Sequence, residues 1–164
     1  MQRYLLSLFV GVSLIALAGC GYHLRGAAPL IDSLKTMYIQ GVNLREGLGF
    51  ELKRGLKRND VNVVTDYQEG SAVMTVLENR IERRVLSVGP DAKVSEYELH
   101  GQVKFSVSDG EGKVLIDSQQ VEARRDYQFD QDQVLGKDEE DRFLREQLNK
   151  QLVDSILRRL SALK

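Results

Sequence analysis

The stretch VSEYELHGQVKFSVS, residues 94–108, alternates apolar and polar side chains along its whole length. This period of two is that of a β-strand with one face on a core and the other face solvated. The turn sequence Asp109-Gly110-Glu111-Gly112 follows, and residues 114–129 then return as a further strand. Residues 72–88 precede the stretch 94–108, are rich in β-branched side chains and end at the turn Gly89-Pro90-Asp91. The sequence therefore predicts three long strands whose sheet meets a core on one face and water or a polar partner on the other.

The alternation in residues 94–108 assigns its side chains to the two faces. The apolar register contains Tyr97, Leu99, Val103, Phe105 and Val107. The polar register contains Glu96, Glu98, His100, Gln102 and Lys104. Because His100 belongs to the polar register, it is expected at the surface.

A first amphipathic helix is predicted upstream of these strands. Its leucines recur every fourth residue, and Asn43 is predicted as its N-cap, with Glu46 completing a capping box. Short strand candidates at 36–40 and 61–64 flank the helix, which predicts a right-handed βαβ unit with parallel strands. The leucine stripe consists of Leu44, Leu48, Leu52 and Leu56.

A second helix is predicted after the loop at residues 130–137. Acidic residues at 138–141 lie at its N-terminal end and basic residues at 158–159 near its C-terminal end, and both placements are favoured by the helix dipole. Two amphipathic helices and one sheet with a single apolar face have one economical packing, with both helices on the same face. We therefore predict an α+β fold in the order β-α-β-β-β-β-α, with a mixed sheet of four to five strands. The second helix has an apolar stripe formed by Leu144, Leu148, Leu152, Ile156, Leu160 and Leu163.

The N-terminal residues follow the pattern of an exported precursor. Arg3 supplies a positive charge, residues 5–17 carry no charge, and Leu17-Ala18-Gly19-Cys20 matches a lipobox. This run of 13 residues is shorter than the ~20 that a membrane-spanning helix needs, which disfavours the alternatives of a short anchor or a core helix. We predict that residues 1–19 are a cleaved signal peptide and that Cys20 carries a covalent lipid.

The expected location and domain organisation follow from this processing. Residue 21 is Gly, not the Asp that retains lipoproteins in the inner membrane of some bacteria, so anchoring to the outer membrane is expected. Residues 20–34 read as a lipidated leader and residues 35–164 as a single domain. The mature chain keeps 22 basic against 24 acidic residues, so nucleic acid is not an expected partner.

The residues needed for catalysis or for a metal site are scarce. Only His23 and His100 could supply imidazole, and Cys20, the single cysteine, is used by the lipid. The sequence contains neither a Gly-x-Ser-x-Gly motif nor a glycine-rich phosphate loop after a strand. We expect no enzyme activity, no metal, and no cofactor apart from the lipid on Cys20.

Basic residues are concentrated on the polar register and at the ends of the long strands. They form either a solvated surface of mixed charge or an anion site, since arginine binds phosphate bidentately and lysine adds a point charge. These residues are Arg80, Arg83, Arg84, Lys93, Lys104, Arg124, Arg125 and Lys137.

The sequence after the lipobox, Cys20-Gly21-Tyr22-His23-Leu24-Arg25-Gly26, resembles the opening of the LPS-assembly lipoprotein family, LptE. Ser95-Glu96-Tyr97 and residues 134–139, VLGKDE, continue the resemblance. The likeness extends over essentially the whole mature chain, and the predicted order of elements agrees with the family's two helices on a mixed sheet.

The resemblance implies a lipoprotein that binds lipopolysaccharide (LPS) and acts as plug and assembly partner of the outer-membrane β-barrel LptD. It implies a lipid-anchored domain inside the barrel lumen or on its periplasmic side, where a polar exterior suits a polar lumen. A lipoprotein that makes only protein–protein contacts, in a structural or assembly role, is the alternative.

Of two basic residues characteristic of the family, only one has a matching residue in this chain. The lysine before the last helix, associated with LPS binding in the family, corresponds to Lys137. The family also has a basic residue in the turn before the Glu-Tyr strand, but no basic residue stands at the matching offset of this chain. Lys93, Arg83 or Arg84 could take its place, and these four residues are the predicted LPS-binding candidates.

Overall fold

The computed structural model describes residues 30–128 and 137–163, without the side chains of residues 137 and 138. The predicted signal peptide, Cys20 and residues 20–29 of the leader lie outside the described residues. A short 3-10 turn, Asp32–Leu34, precedes the first strand. The remaining elements are β1 (Thr36–Gln40), α1 (Gly47–Lys57), β2 (Asn62–Val64), β3 (Ala72–Val88), β4 (Val94–Ser108), β5 (Val114–Gln128) and α2 (Lys137–Ser161).

The five strands form one mixed sheet in the order β2-β1-β3-β4-β5. Strand β1 pairs in parallel with both β2 and β3, whereas β3–β4 and β4–β5 are antiparallel. The predicted α+β fold and its order of elements are confirmed. The short strand after α1, whose place the sequence left open, lies beside β1.

The two helices pack against each other and bury their leucine stripes on the same face of the sheet. Gly101, in the middle of β4, allows α2 to approach closely. A methyl group at this position would lie 2.9 Å from both Leu148 Cδ2 and Leu152 Cδ1, so the two leucine side chains would have to shift to admit a larger residue. Leu30 and Leu34, which precede β1, belong to the same core.

The predicted capping box of α1 is wrong. The helix begins at Gly47, and Glu46 is its N-cap residue without a side-chain cap. Asn43 instead forms a local turn, in which its Oδ1 accepts the Arg45 amide at 3.0 Å and its Nδ2 donates to Glu46 Oε1 at 2.8 Å. An asparagine side chain often accepts a hydrogen bond from the backbone amide two residues further along the chain. Here this local turn takes the place of the predicted helix cap.

Strands β3, β4 and β5 extend well past the end of β1. Because β1 pairs with β3 only as far as Thr75, the sheet beyond this level consists of three strands. We call this part the distal sheet; it comprises residues 76–88 of β3, 94–105 of β4 and 119–128 of β5. The face that α2 covers is called the helix face, and the opposite face is called the outer face.

Candidate functional site

The register of the strands divides the basic residues of the distal sheet between its two faces. Arg83 of β3 and Arg125 of β5 both lie opposite Leu99, which is fully buried on the helix face. Arg84 lies opposite Glu98, and Arg124 lies opposite His100, so both belong to the outer face. Neighbouring arginines therefore point to opposite sides of the sheet.

The outer-face arginines of β3 are bound to an acidic side chain. Glu82 forms ion pairs with Arg80 and, at 3.0 Å, with Arg84. The hydrogen bond from Arg84 lowers the pKa of the Glu82 carboxyl, and the charge of Arg80 acts in the same direction. Exposed pairs of this kind contribute little stability, and the single Glu82 carboxylate neutralises only part of the charge of the two arginines.

His100 is not at the surface, contrary to the sequence-based prediction. Only 4% of the residue is exposed, and its Nε2 lies 3.3 Å from Glu122 Oε2. Glu82 and Arg124 flank His100 on the neighbouring strands, and long side chains on both sides of a central strand cover a residue between them. Hydrogen bonds to its carboxylate lower the pKa of Glu122; the largest contribution comes from Gln120 and the next from His100.

Arg83 has aromatic partners on the helix face. Its guanidinium lies 4.8 Å from the centre of the Tyr97 ring, a cation–π geometry. The Tyr97 and Tyr127 rings are 5.8 Å apart. The hydrogen bond to Tyr127 raises the pKa of Arg83, and the charge of Asp141 adds to this effect. The guanidinium of Arg83 thus lies over β4.

Arg125 was not among the four candidates chosen from the sequence. Its Nε is buried and has no hydrogen-bond partner among the described residues. Asp141, near the start of α2, also has a buried oxygen, Oδ1, that lacks a partner in this part of the chain, while its Oδ2 accepts from Arg145 at 2.5 Å. The available signal was an arginine at an apolar position of β5, between Ala123 and Tyr127.

Two further candidates lie at the turn and at the helix start. Lys93 lies in the β3–β4 turn, where its Nζ is 3.8 Å from Asp91 Oδ2 and its side chain is largely exposed. Lys137 is the first residue of α2, and its side chain lies outside the described residues. Arg83 and Arg84 therefore lie on opposite faces of the distal sheet, and Lys93 lies in the turn at its end.

Apolar side chains accompany the cations near the β3–β4 turn. Val85 lies opposite Tyr97 on the helix face, and Leu86 is an extra residue where the register shifts. Val85, Leu86 and Val88 are all about half exposed. Exposed apolar and cationic side chains in one region match the chemistry of an amphiphile with an anionic headgroup.

Residues 30–128 and 137–163 contain neither a cluster of metal ligands nor a membrane-spanning helix. No three His, Cys, Asp or Glu side chains come together there in a way that could hold a metal ion. Neither α1 nor α2 combines the length and the apolar character that crossing a membrane requires.

Solved structures with this arrangement of two helices on a mixed sheet come from bacterial lipoproteins. Lipoprotein B from Nitrosomonas europaea has a TM-score of 0.69 at 27% identity, with 87% of this chain and 91% of that chain covered. A minor lipoprotein from Acinetobacter baumannii has a TM-score of 0.67 at 26% identity, with 82% and 94% covered. The fold is therefore one found among small bacterial lipoproteins.

The family comparison is more specific. The model of the LptE family, described as lipopolysaccharide-assembly, matches residues 34–160. The LPS-assembly lipoprotein LptE of Photorhabdus laumondii is 25% identical over 162 residues, covering 98% of this chain and 87% of that protein. The chain belongs to the LptE lipopolysaccharide-assembly family, which confirms the resemblance found in the sequence motifs.

Proposed function

We propose that this protein is anchored to the outer membrane through a lipid on Cys20 and binds LPS. In this proposal it also acts as plug and assembly partner of an LptD-type β-barrel. Membership of the LptE family supports the place in LPS assembly. The lipobox supports the anchor.

One observation carries the proposed LPS binding: the distal sheet combines cations with exposed apolar side chains. Arg83 lies beside Val85 on the helix face, and Lys93 lies in the adjoining turn. LPS is an amphiphile with phosphates close to acyl chains. The cationic side chains could therefore contact its phosphates while the apolar side chains contact its acyl chains. Lys137, Lys93, Arg83 and Arg84 are the residues that we propose for its anionic groups.

The proposed role as a plug rests on the outer face. It carries charges of both signs, with ion pairs from Glu82 to Arg80 and Arg84 and from Glu122 to Arg124, so the surface is hydrophilic. A hydrophilic surface of mixed charge suits the polar lumen of a wide barrel. A partner of this type would enclose the sheet without requiring an apolar interface.

The partner is tested by extracting the lipidated protein from membranes in mild detergent and identifying co-purifying proteins by mass. We expect a large outer-membrane β-barrel in the eluate. The matched control is Cys20→Ser, which removes the lipidation site and should abolish recovery from the outer membrane. Recovery of the native protein only as a free species would contradict the proposed partnership.

LPS binding is tested by charge reversal at the candidate lysines. Lys93→Glu together with Lys137→Glu should lower the affinity for purified LPS by at least about tenfold, since each lost charge-assisted contact contributes ~1.5 kcal/mol or more. Lys113→Glu, in the β4–β5 turn at the opposite end of the strands, is the control and should change little. Unchanged affinity in the double variant would exclude these two lysines from the site. Failure of the native protein to bind LPS would favour a role through protein contacts alone.

A further inference from the structure

A cleft lies between the start of α1 and the middle of α2, and we call it the α1–α2 cleft. Its volume of about 360 Å³ is within the range of ligand pockets. Arg83, Arg84 and Lys93, which we propose for LPS, are not among the residues that line it. Its charged side chains cancel in formal charge, so the cleft favours a neutral ligand over an ion of either sign. They are Arg45, Arg54 and Lys150 against Glu46, Glu51 and Glu146.

The wall that α2 contributes contains a buried carboxamide with an unpaired oxygen. Asn149 is only 6% exposed, and its Oδ1 has no hydrogen-bond partner within residues 30–128 and 137–163. Its Nδ2 lies toward α1, 3.9 Å from the position that a side-chain carbon on Gly47 would take. An unpaired buried polar atom lowers stability, whereas an apolar side chain of similar shape would not. A ligand that supplies the missing partner would recover this free energy on binding.

The wall that α1 contributes adds backbone donors and an apolar surface. Gly47 is the first residue of α1, and the N-cap residue Glu46 makes no side-chain cap. The first amide groups of a helix have no acceptor within the helix, so a start without a side-chain cap offers donors to a ligand. Phe50, one turn further on, also lines the cleft, and its side chain is partly exposed. The cleft thus combines N–H donors, a carbonyl acceptor and an aromatic ring.

This combination is complementary to a polypeptide backbone. A peptide group carries one donor and one acceptor, and the carboxamide of Asn149 can pair with both. An anion would leave the Asn149 oxygen unpaired, and a cation would meet the positive end of the α1 dipole. A side chain of the same peptide segment would contact Phe50.

We infer that the α1–α2 cleft binds an extended peptide segment of a partner protein, with Asn149 pairing with one of its main-chain peptide groups. The inference rests on the proposed partnership with a β-barrel and deepens it, because it names a contact site and the group that is recognised. The backbone groups of barrel strands are already hydrogen-bonded to neighbouring strands. The segment therefore belongs to a loop or a terminus of the partner.

The first experiment removes the hydrogen-bonding groups of Asn149 and keeps its approximate shape. Full-length lipidated Asn149→Leu is extracted from membranes in mild detergent, and the co-purifying barrel is quantified. We expect at least about fivefold less barrel per molecule than with the native protein, because a peptide group of the partner would lose its hydrogen bonds. The variant purified without its partner should unfold at the native temperature or above it, since the unpaired oxygen is gone. A merely structural role of Asn149 predicts a lower unfolding temperature instead.

Gln151→Met is the matched control. Gln151 lies two residues further along α2, and its Oε1 is likewise buried without a partner in the described part of the chain. It lines a different cavity, between α2 and β5. We expect this variant to recover the barrel within about twofold of the native level. Equal losses in the two variants would overturn the inference, as would native recovery by Asn149→Leu.

The second experiment identifies the occupant with Asn149 intact, so it decides the question even if Asn149→Leu does not fold. A photoreactive phenylalanine analogue replaces Phe50 in the full-length protein, and cells are irradiated. We expect a crosslink to a polypeptide, which mass spectrometry should map to a loop or terminus of the barrel. A crosslink to LPS, to a second copy of this chain or to a barrel strand would overturn the inference.

The two experiments separate this inference from the proposed function. Recovery of the barrel without any crosslink from position 50 would overturn the peptide site and leave the partnership standing. A crosslink to a different protein, without recovery of a barrel, would retain the peptide site and overturn the partnership. Neither a crosslink nor a barrel would overturn both.

Discussion

Replacing Gly49 by alanine should destabilise this protein, although the same change inside a helix is usually favourable. Gly49 is the third residue of α1 and is buried. A methyl group there would lie 2.1 Å from the Asn43 carbonyl oxygen and 2.7 Å from its carbon. Both atoms belong to the backbone of the turn that enters the helix. They cannot rotate away as the end of a side chain can.

The expected magnitude follows from two opposing effects. Alanine gains about 0.8–1.0 kcal/mol over glycine from helix propensity. Relieving the contact costs about 1–3 kcal/mol as overpacking, toward the upper end where backbone must move. If the first turn unravels instead, it exposes Leu48, now 2% exposed, at a cost of ~1.5–3 kcal/mol. Either route leaves a net loss of about 1–2 kcal/mol, or a decrease in Tm of roughly 2–8 °C for a chain of this size.

Thermal and urea unfolding followed by circular dichroism measure this difference. Gly55→Ala is the matched control in the same helix. Its methyl group would meet only the side-chain atoms Val153 Cγ1 at 2.8 Å and Leu157 Cδ1 at 3.0 Å, which can adjust. We expect Gly55→Ala to lie closer to the wild type than Gly49→Ala. A Gly49→Ala protein as stable as the wild type would refute the close contact between Asn43 and the start of α1.

Three other substitutions test the core, the bulge and the outer face. Phe105→Ala should lower the free energy of unfolding by about 3–5 kcal/mol in urea titrations, because Phe105 is a large, fully buried side chain. Leu77→Ala should change it by less than about 0.5 kcal/mol, since Leu77 is half exposed; a larger loss would indicate a buried role. For Glu122, whose pKa is lowered in the folded state, the stabilisation is present at neutral pH and is lost as the pH falls through the folded pKa. Glu122→Gln should therefore differ most from the wild type at neutral pH, and a difference that widens on acidification would contradict this.

The overall architecture could be predicted because it depends on residue periodicity. The four-residue leucine spacing of α1 and α2 and the alternation in β4 each specify a buried face, and the glycine-containing turns mark the strand ends. The two features that sequence analysis mispredicted depend on neighbours rather than on period. Asn43 formed a local turn in place of a cap, and His100 was covered by side chains from the strands beside it.

The composition of the candidate site could not be predicted, because a bulge reverses the alternation of β3. Val76 pairs with Phe105 on the core side, and Glu78 pairs with the next residue of β4, so Leu77 is an extra residue in the strand. Without this bulge, continued alternation from Val76 would place Arg84 on the helix face and Arg83 on the outer face. Choosing between these adjacent arginines thus requires the register, which no local pattern specifies. Arg83 and Arg84 are adjacent and carry the same charge, yet the bulge places them in opposite environments.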